Sequence, residues 1–235
     1  MKEKYKKSKI IFWSVLIAGS FLVGILHAAN PETFGLPIVI LWMAIMVVVC
    51  VWLEIHHFLE QQRALQQLLK DFEETLDGDA LLAGLDDLLE NATGKVFLAA
   101  CSFNRGVALI QKKKYAEAME CFLSAQEKYF RKINHAIYWG DIALCHFLLQ
   151  QPKEAIAILD QQAQCFRTYE NNPPMDGLLV LLRLFRLLEE GELEELEKVL
   201  PETRTKWETP RNAAEFSILA DRLAQIKEKQ AVVVD

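Results

Sequence analysis

Between Lys9 and Glu54 a single side chain, Glu32, carries a formal charge. This stretch holds two apolar runs, Ile10 to Leu26 and Leu36 to Leu53, of 17 and 18 residues. A helix rises 1.5 Å per residue, so each run reaches about 26 Å, close to the roughly 30 Å hydrocarbon core of a bilayer. Both runs are therefore predicted to be spanning helices, with residues 10–26 and 36–53 in contact with lipid. The connector HAANPETFGLP contains Pro31, Gly35 and Pro37, which predicts a tight reversal and an antiparallel pair. Ser20 and Gly24 place small residues four apart, a spacing that suits close helix packing.

Lysine placement sets the expected orientation. Lys2, Lys4, Lys6, Lys7 and Lys9 precede the first run, the connector has no Lys or Arg, and Arg63 and Lys70 follow the second run. Positive flanks stay in the cytoplasm, so both termini are expected there. A cleaved signal peptide is the competing reading of a Lys-rich start and an apolar run. Cleavage after Ala29 would put His27 where a small residue belongs, and a second apolar run follows at once, so the uncleaved pair fits better. The Asn91-Ala92-Thr93 sequon then has no glycosylation consequence.

The charge balance bears on partners. Residues 1–9 carry +4 and the whole chain −6, which with Glu32 leaves −9 on residues 54–235. An acidic soluble part excludes a nucleic-acid backbone as the expected partner, because phosphate binding needs a basic face. Cys50, Cys101, Cys121, Cys145 and Cys165 form no CxxC and have no paired His at metal spacing. They read as free thiols in a reducing compartment.

Glu54 to Leu76 carries Phe58, Leu59, Leu65, Leu68, Leu69, Phe72 and Leu76 at helical spacing, so it is predicted to continue the second membrane helix into the cytoplasm. His56 and His57 point apart on such a helix and read as polar residues at the headgroup boundary. Asp77-Gly78-Asp79 should end it, and Ala80 to Leu89 should form a short helix. Ala99 to Gln111 and Tyr115 to Ala125 then read as two helices around Lys112 to Lys114, with Gly106 and Ala118 on a close contact and Phe122 filling the space beyond. Tyr129 to His135 is expected to extend the second of them. Asn171 to Pro174 reads as a linker, Pro201 to Asn212 as a loop, Asn212 to Lys229 as a final amphipathic helix, and Ala231 to Val234 as a frayed tail.

Residues 99–125 resemble a tetratricopeptide repeat, a helix–turn–helix unit of about 34 residues. The resemblance rests on Gly106, Tyr115, Ala118, Phe122 and Ala125, while Ser102 stands where the repeat usually has Trp. A second copy fits Ala136 to Gln162 through Trp139, Ala143, Ala155 and Leu159, and a weaker third fits Gly177 to about Leu200, with Leu196 replacing the Ala. The resemblance implies an all-α fold. Residues 1–53 would form a two-helix transmembrane hairpin, 54–79 a juxtamembrane amphipathic helix, and 80–235 a TPR-like α-solenoid of about three helical hairpins with a C-terminal capping helix.

By the same resemblance the concave groove would be lined by Phe103, Val107, Ile110, Ile137, Leu144, Phe147, Leu181, Phe185 and Leu188. Lys, Arg and Asn, which grip a peptide carboxylate in related arrays, are missing from this face. An apolar groove implies a protein partner that offers an amphipathic helix or peptide. Alternatively the groove is filled internally by Glu54 to Leu76, within one copy or between copies of a homo-oligomer. No Gly-rich phosphate loop, HExxH or GxSxG appears, so neither catalysis, a cofactor nor a metal is expected. The expected function is a membrane-anchored adaptor or scaffold with its repeat domain in the cytoplasm, and the alternative is a structural, oligomerising membrane protein.

Overall fold

The computed structural model describes residues 2–30 and 36–234, and among these residues the chain is helical throughout, with no strand. Residues 31–35, which hold most of the predicted reversal, lie outside the described residues. Helices α1 (Lys2–Ala29) and α2 (Leu36–Thr75) contain the two apolar runs, and both are long and apolar enough to cross a membrane. Only 6% of either apolar window is buried by the rest of the chain. Lys9 Nζ lies 2.7 Å from Glu54 Oε1, and Trp42 Nε1 donates to Ser20 Oγ at 3.3 Å. Rising numbers on α1 thus meet falling numbers on α2, so the two are antiparallel. The close approach falls at Gly19, where an added Cβ would sit 2.3 Å from the Trp42 ring, whereas Gly24 has nothing within 4 Å. Ser20 and Gly24 therefore do not share one contact.

Helix α2 does not stop at the end of its apolar run. It continues without a break to Thr75, 40 residues in all, and its second half buries Leu65 and Phe72. These pack with Leu81, Leu85 and Leu88 of α3 (Gly78–Asn91) and with Phe97, Cys101 and Ala108 of α4 (Lys95–Gln111). Gly84 lets α3 settle on Leu68, whose Cδ1 would lie 2.5 Å from an added Cβ. Asp77 caps α3, its Oδ1 accepting from the backbone amides of Asp79 and Ala80 at 3.0 Å each. Leu76, at φ 54°, makes the turn that ends α2.

The following helices pack as sequential pairs: α4 with α5 (Tyr115–Ala125), α6 (Ile133–Leu148) with α7 (Pro152–Gln161), and α9 (Pro173–Glu190) with α10 (Leu193–Trp207). A short helix, α8 (Ala163–Thr168), follows α7, and α11 (Ala213–Val234) lies against α9. Lys113 and Gln150, at φ 58° each, and Gly191, at φ 80°, take left-handed positions in the three turns. In the first pair the Phe122 ring lies directly on Gly106 and occupies the space of its missing side chain, rather than the space beyond the contact. A second glycine contact joins pairs, because Leu178 of α9 sits on Gly140 of α6.

Four sequence expectations need correction. Tyr129 to His135 does not lengthen α5. Gln126 (φ 56°) and Lys132 (φ 54°) break the chain on either side of a single 3₁₀ turn, Glu127–Tyr129. The break turns Phe130 inward, where it stacks on Tyr138 at 4.9 Å and meets Phe103 at 5.4 Å. Second, Pro201 to Trp207 is not loop. The helix begun at Leu193 carries Pro201 in its interior and runs on to Trp207, which packs over Gly177 of α9. Packing of that indole against the apolar face of α9 outweighs the hydrogen bond a proline removes. Third, the linker read at Asn171 to Pro174 is shorter, since α9 starts at Pro173, a position where a missing N–H costs nothing. The C-terminal tail likewise belongs to α11, which runs to Val234.

Gly106→Ala tests the helix contact on which α4 and α5 depend. An added Cβ would lie 2.5 Å from the ring of fully buried Phe122. Overpacking of this kind costs about 1–3 kcal/mol, more than the roughly 1 kcal/mol that Ala gains over Gly in a helix. A lower thermal midpoint of the full chain in nanodiscs is expected by circular dichroism, whereas Gly24→Ala, whose added Cβ meets nothing within 4 Å, should not lower it.

Candidate binding site at the junction of α4, α6, α9 and α11

The nine residues assigned to the groove separate into three groups. Phe103 belongs to an aromatic cluster, with Phe122, Phe130 and Tyr138 at ring distances of 5.2, 5.4 and 6.2 Å. Phe147 and Phe185 stack at 5.4 Å and, with Leu188, are buried between α6 and α9. These four pack within the chain, Phe103 half-buried and the other three buried. The remaining five, Val107, Ile110, Ile137, Leu144 and Leu181, converge on one cavity of about 230 Å³.

The segment over this face is the chain's own C-terminal part, not Glu54 to Thr75. The soluble half of α2 packs on α3 and on the other side of α4. The turn between α10 and α11 instead returns to the first helix pair, and Gln111 Nε2 donates to the Arg211 carbonyl at 2.7 Å across 100 residues of sequence. Asn212 shapes the turn: its Oδ1 accepts from the Thr209 amide at 2.7 Å and its Nδ2 donates to the Trp207 carbonyl at 3.0 Å. Phe216, Leu219 and Leu223 then seat α11 in the core, and Arg222 pairs with Glu189 of α9.

This return brings polar groups to the apolar cavity that the groove reading did not include. Asp141 of α6, Glu215 of α11, and Arg211, Asn212 and Thr209 of the turn all line it. Glu215 is 3% exposed and its Oε2 has no hydrogen-bond partner. Burial raises its pKa, while its own backbone amide and the charges of Arg211 and Lys113 oppose the rise. The Asp141 carboxyl is pushed up to about 7, chiefly by burial, with Arg211 opposing and Glu215 adding to the shift. Tyr115 and Cys145 are raised as well, mainly by burial, and they sense Glu215 and Asp141 respectively. Asp141 was legible in principle, because Ile137, Asp141 and Leu144 share a helix face and an acid in an apolar stripe departs from ordinary burial. Glu215 carried no such signal, since on α11 alone it reads as a solvated first-turn carboxylate.

No group of three or more His, Cys, Asp or Glu is placed to hold a metal among the described residues. His57 is buried and His56 faces Glu60 at 3.8 Å, so the two histidines do not converge. The five cysteines are all free thiols, and Cys101, Cys121 and Cys145 are buried. No family model matches the chain, and comparison with curated proteins and with solved structures gives no match either.

The Asp141 shift makes stability depend on pH in a definite direction. The folded protein holds a proton on Asp141 between its ordinary 3.8 and about 7, where the unfolded chain has lost it. The folded state therefore loses stability as pH rises through that window and loses no more above it. Asp141→Asn removes this dependence. The variant should match the parent near pH 4 and exceed it at pH 8 by on the order of a few kcal/mol, read as the difference between their thermal midpoints in nanodiscs.

Proposed function

We propose that the chain is a membrane-anchored adaptor with a TPR-like array of helical hairpins, which holds a protein partner at the cytoplasmic face of the cell membrane. In this reading α1 and α2 span the bilayer as a hairpin, both termini lie in the cytoplasm, and α11 caps the array. The observation that carries it is the continuity of α2. Its first half has an exposed apolar surface suited to lipid, and the same helix enters the folded part as packed structure. A helix shared between both environments transmits position without a flexible linker.

The partner-facing element is the cavity on the face covered by the α10–α11 turn, and its mixed lining favours recognition over chemistry. Two carboxylates and an apolar wall offer no nucleophile with an adjacent base. A purely structural role, with the juxtamembrane helix filling the groove, is the weaker reading, because Leu65 and Phe72 are already buried on α3 and α4.

Alkaline carbonate is expected to leave the full chain in the membrane pellet. Protease should remove its C-terminal half from opened cells and spare it in intact ones. Release by carbonate, or digestion from outside, would overturn the reading. A photocrosslinker at Val107 or Ile137 should capture a partner that one at exposed Leu123 does not; equal capture at all three would remove the cavity as the contact.

A further inference from the structure

The cavity contains a contradiction that a folded chain has no reason to keep for itself. Burying a carboxyl oxygen without a hydrogen bond costs about 1–3 kcal/mol, more when it is charged. Glu215 Oε2 is in that position, 97% of its residue is removed from solvent, and the residue forms part of the cavity wall, so that a small rotation of its carboxyl brings it to the space. Asp141 faces the same space from α6.

The chemistry of the lining restricts what fits. Two carboxyl groups set against the single Arg211 disfavour an anion. A neutral apolar group would leave Glu215 unsatisfied. A bound divalent cation calls for more oxygen ligands than two carboxylates supply, and no third acid is near among the described residues. A volume of about 230 Å³ is below the roughly 300–1,000 Å³ of drug-sized sites. One side chain with an apolar stem and a cationic, hydrogen-bond-donating end satisfies all of these conditions. Its stem would lie along Ile110, Ile137, Leu144 and Leu178.

We infer that this cavity receives a single lysine or arginine side chain of a partner polypeptide, with Glu215 and Asp141 accepting hydrogen bonds from its cationic end. The inference rests on the adaptor reading only for the source of that side chain. The charged groups around the two acids are Lys113 at the end of α4 and Arg211 before α11, with Tyr115 of α5 and Cys145 of α6 also coupled to them. The cavity lining contributed by α9, Pro173, Gly177, Leu178 and Leu181, adds no charge. Arg211 is exposed and competes for the same carboxylates from within the chain.

The test uses the full chain in nanodiscs with methyl-labelled isoleucine, read by NMR at Ile110 and Ile137. Nα-acetyl-lysine methylamide is expected to shift both methyls saturably, and the norleucine analogue, which lacks only the amine, to shift neither. Affinity should rise from pH 5 to pH 8 as Asp141 ionises. It should fall by about tenfold or more in Glu215→Gln and in Asp141→Asn, the loss expected for one charge-assisted hydrogen bond, and should increase in Arg211→Gln. Retained methyl dispersion shows that each variant is folded, and either acid variant suffices if the other is not. Equal shifts from the norleucine analogue, no shift from the lysine analogue, or full affinity in a folded acid variant would overturn the inference. Spermidine binding more tightly than the lysine analogue would overturn its polypeptide source. These failures leave membrane anchoring intact, whereas release by carbonate removes the anchor without touching the titration.

Discussion

A helix with an apolar stripe cannot be left alone in water, and in this chain each pair of helices still has an uncovered stripe after its two members have met. The close approach of Gly106 to Phe122 shows how one pair forms: a side chain is missing on one helix and a ring occupies the gap on the other. Leu178 on Gly140 repeats the device between successive pairs. Everything else in the folded part follows from the need to cover what remains. At one end α2 and α3 bury Leu65, Phe72, Leu81 and Leu85 against α4. At the other, α11 contributes Phe216 and Leu219, both fully buried, to the core shared with α6 and α9.

That covering also decides where polarity enters. Because the α10–α11 turn returns as far as Gln111, it carries Arg211 and Glu215 to an apolar face that α4, α6 and α9 build. Asp141 is already there. Two acids with raised pKa values in one cavity make the site costly to the fold, and such costs concentrate where a protein binds or reacts. The surface ion pairs do not compare: Arg183 with Glu195 at 2.9 Å and Lys227 with Glu197 at 2.6 Å join exposed side chains, whose pairing contributes little.

Helix α2 joins an exposed apolar stretch, long enough to cross a membrane, to the folded part without a break. Among the described residues its apolar first half is 6% buried and packs with α1, while its second half has a buried face within the folded part. Asp77 and the left-handed Leu76 then end it and begin α3 at once. The hinge that a Gly- or Ser-rich linker would supply is thus replaced by a packed corner.

Much of this was legible in the residues. Hydrophobic length identified α1 and the first half of α2, because lipid-length apolar runs need no tertiary context to be recognised. Periodicity placed α4 and α5, because a one-sided stripe with small residues at the crossing has few other uses. Local rules failed where a distant partner outweighed them: Pro201 sits inside α10 because Trp207 packs on α9, and Phe130 leaves the helix because Phe103 and Tyr138 hold it. The sequence alone determined that the chain is helical, with two apolar helices at its start, since both properties are written in spacing over a few turns. Only the tertiary structure decided that four of the nine expected groove residues pack within the chain while five line a cavity, and that Asp141 and Glu215, 74 residues apart in the numbering, line that same cavity. Long-range packing sets the environment of a carboxylate, and no local pattern encodes which segment will return to cover it.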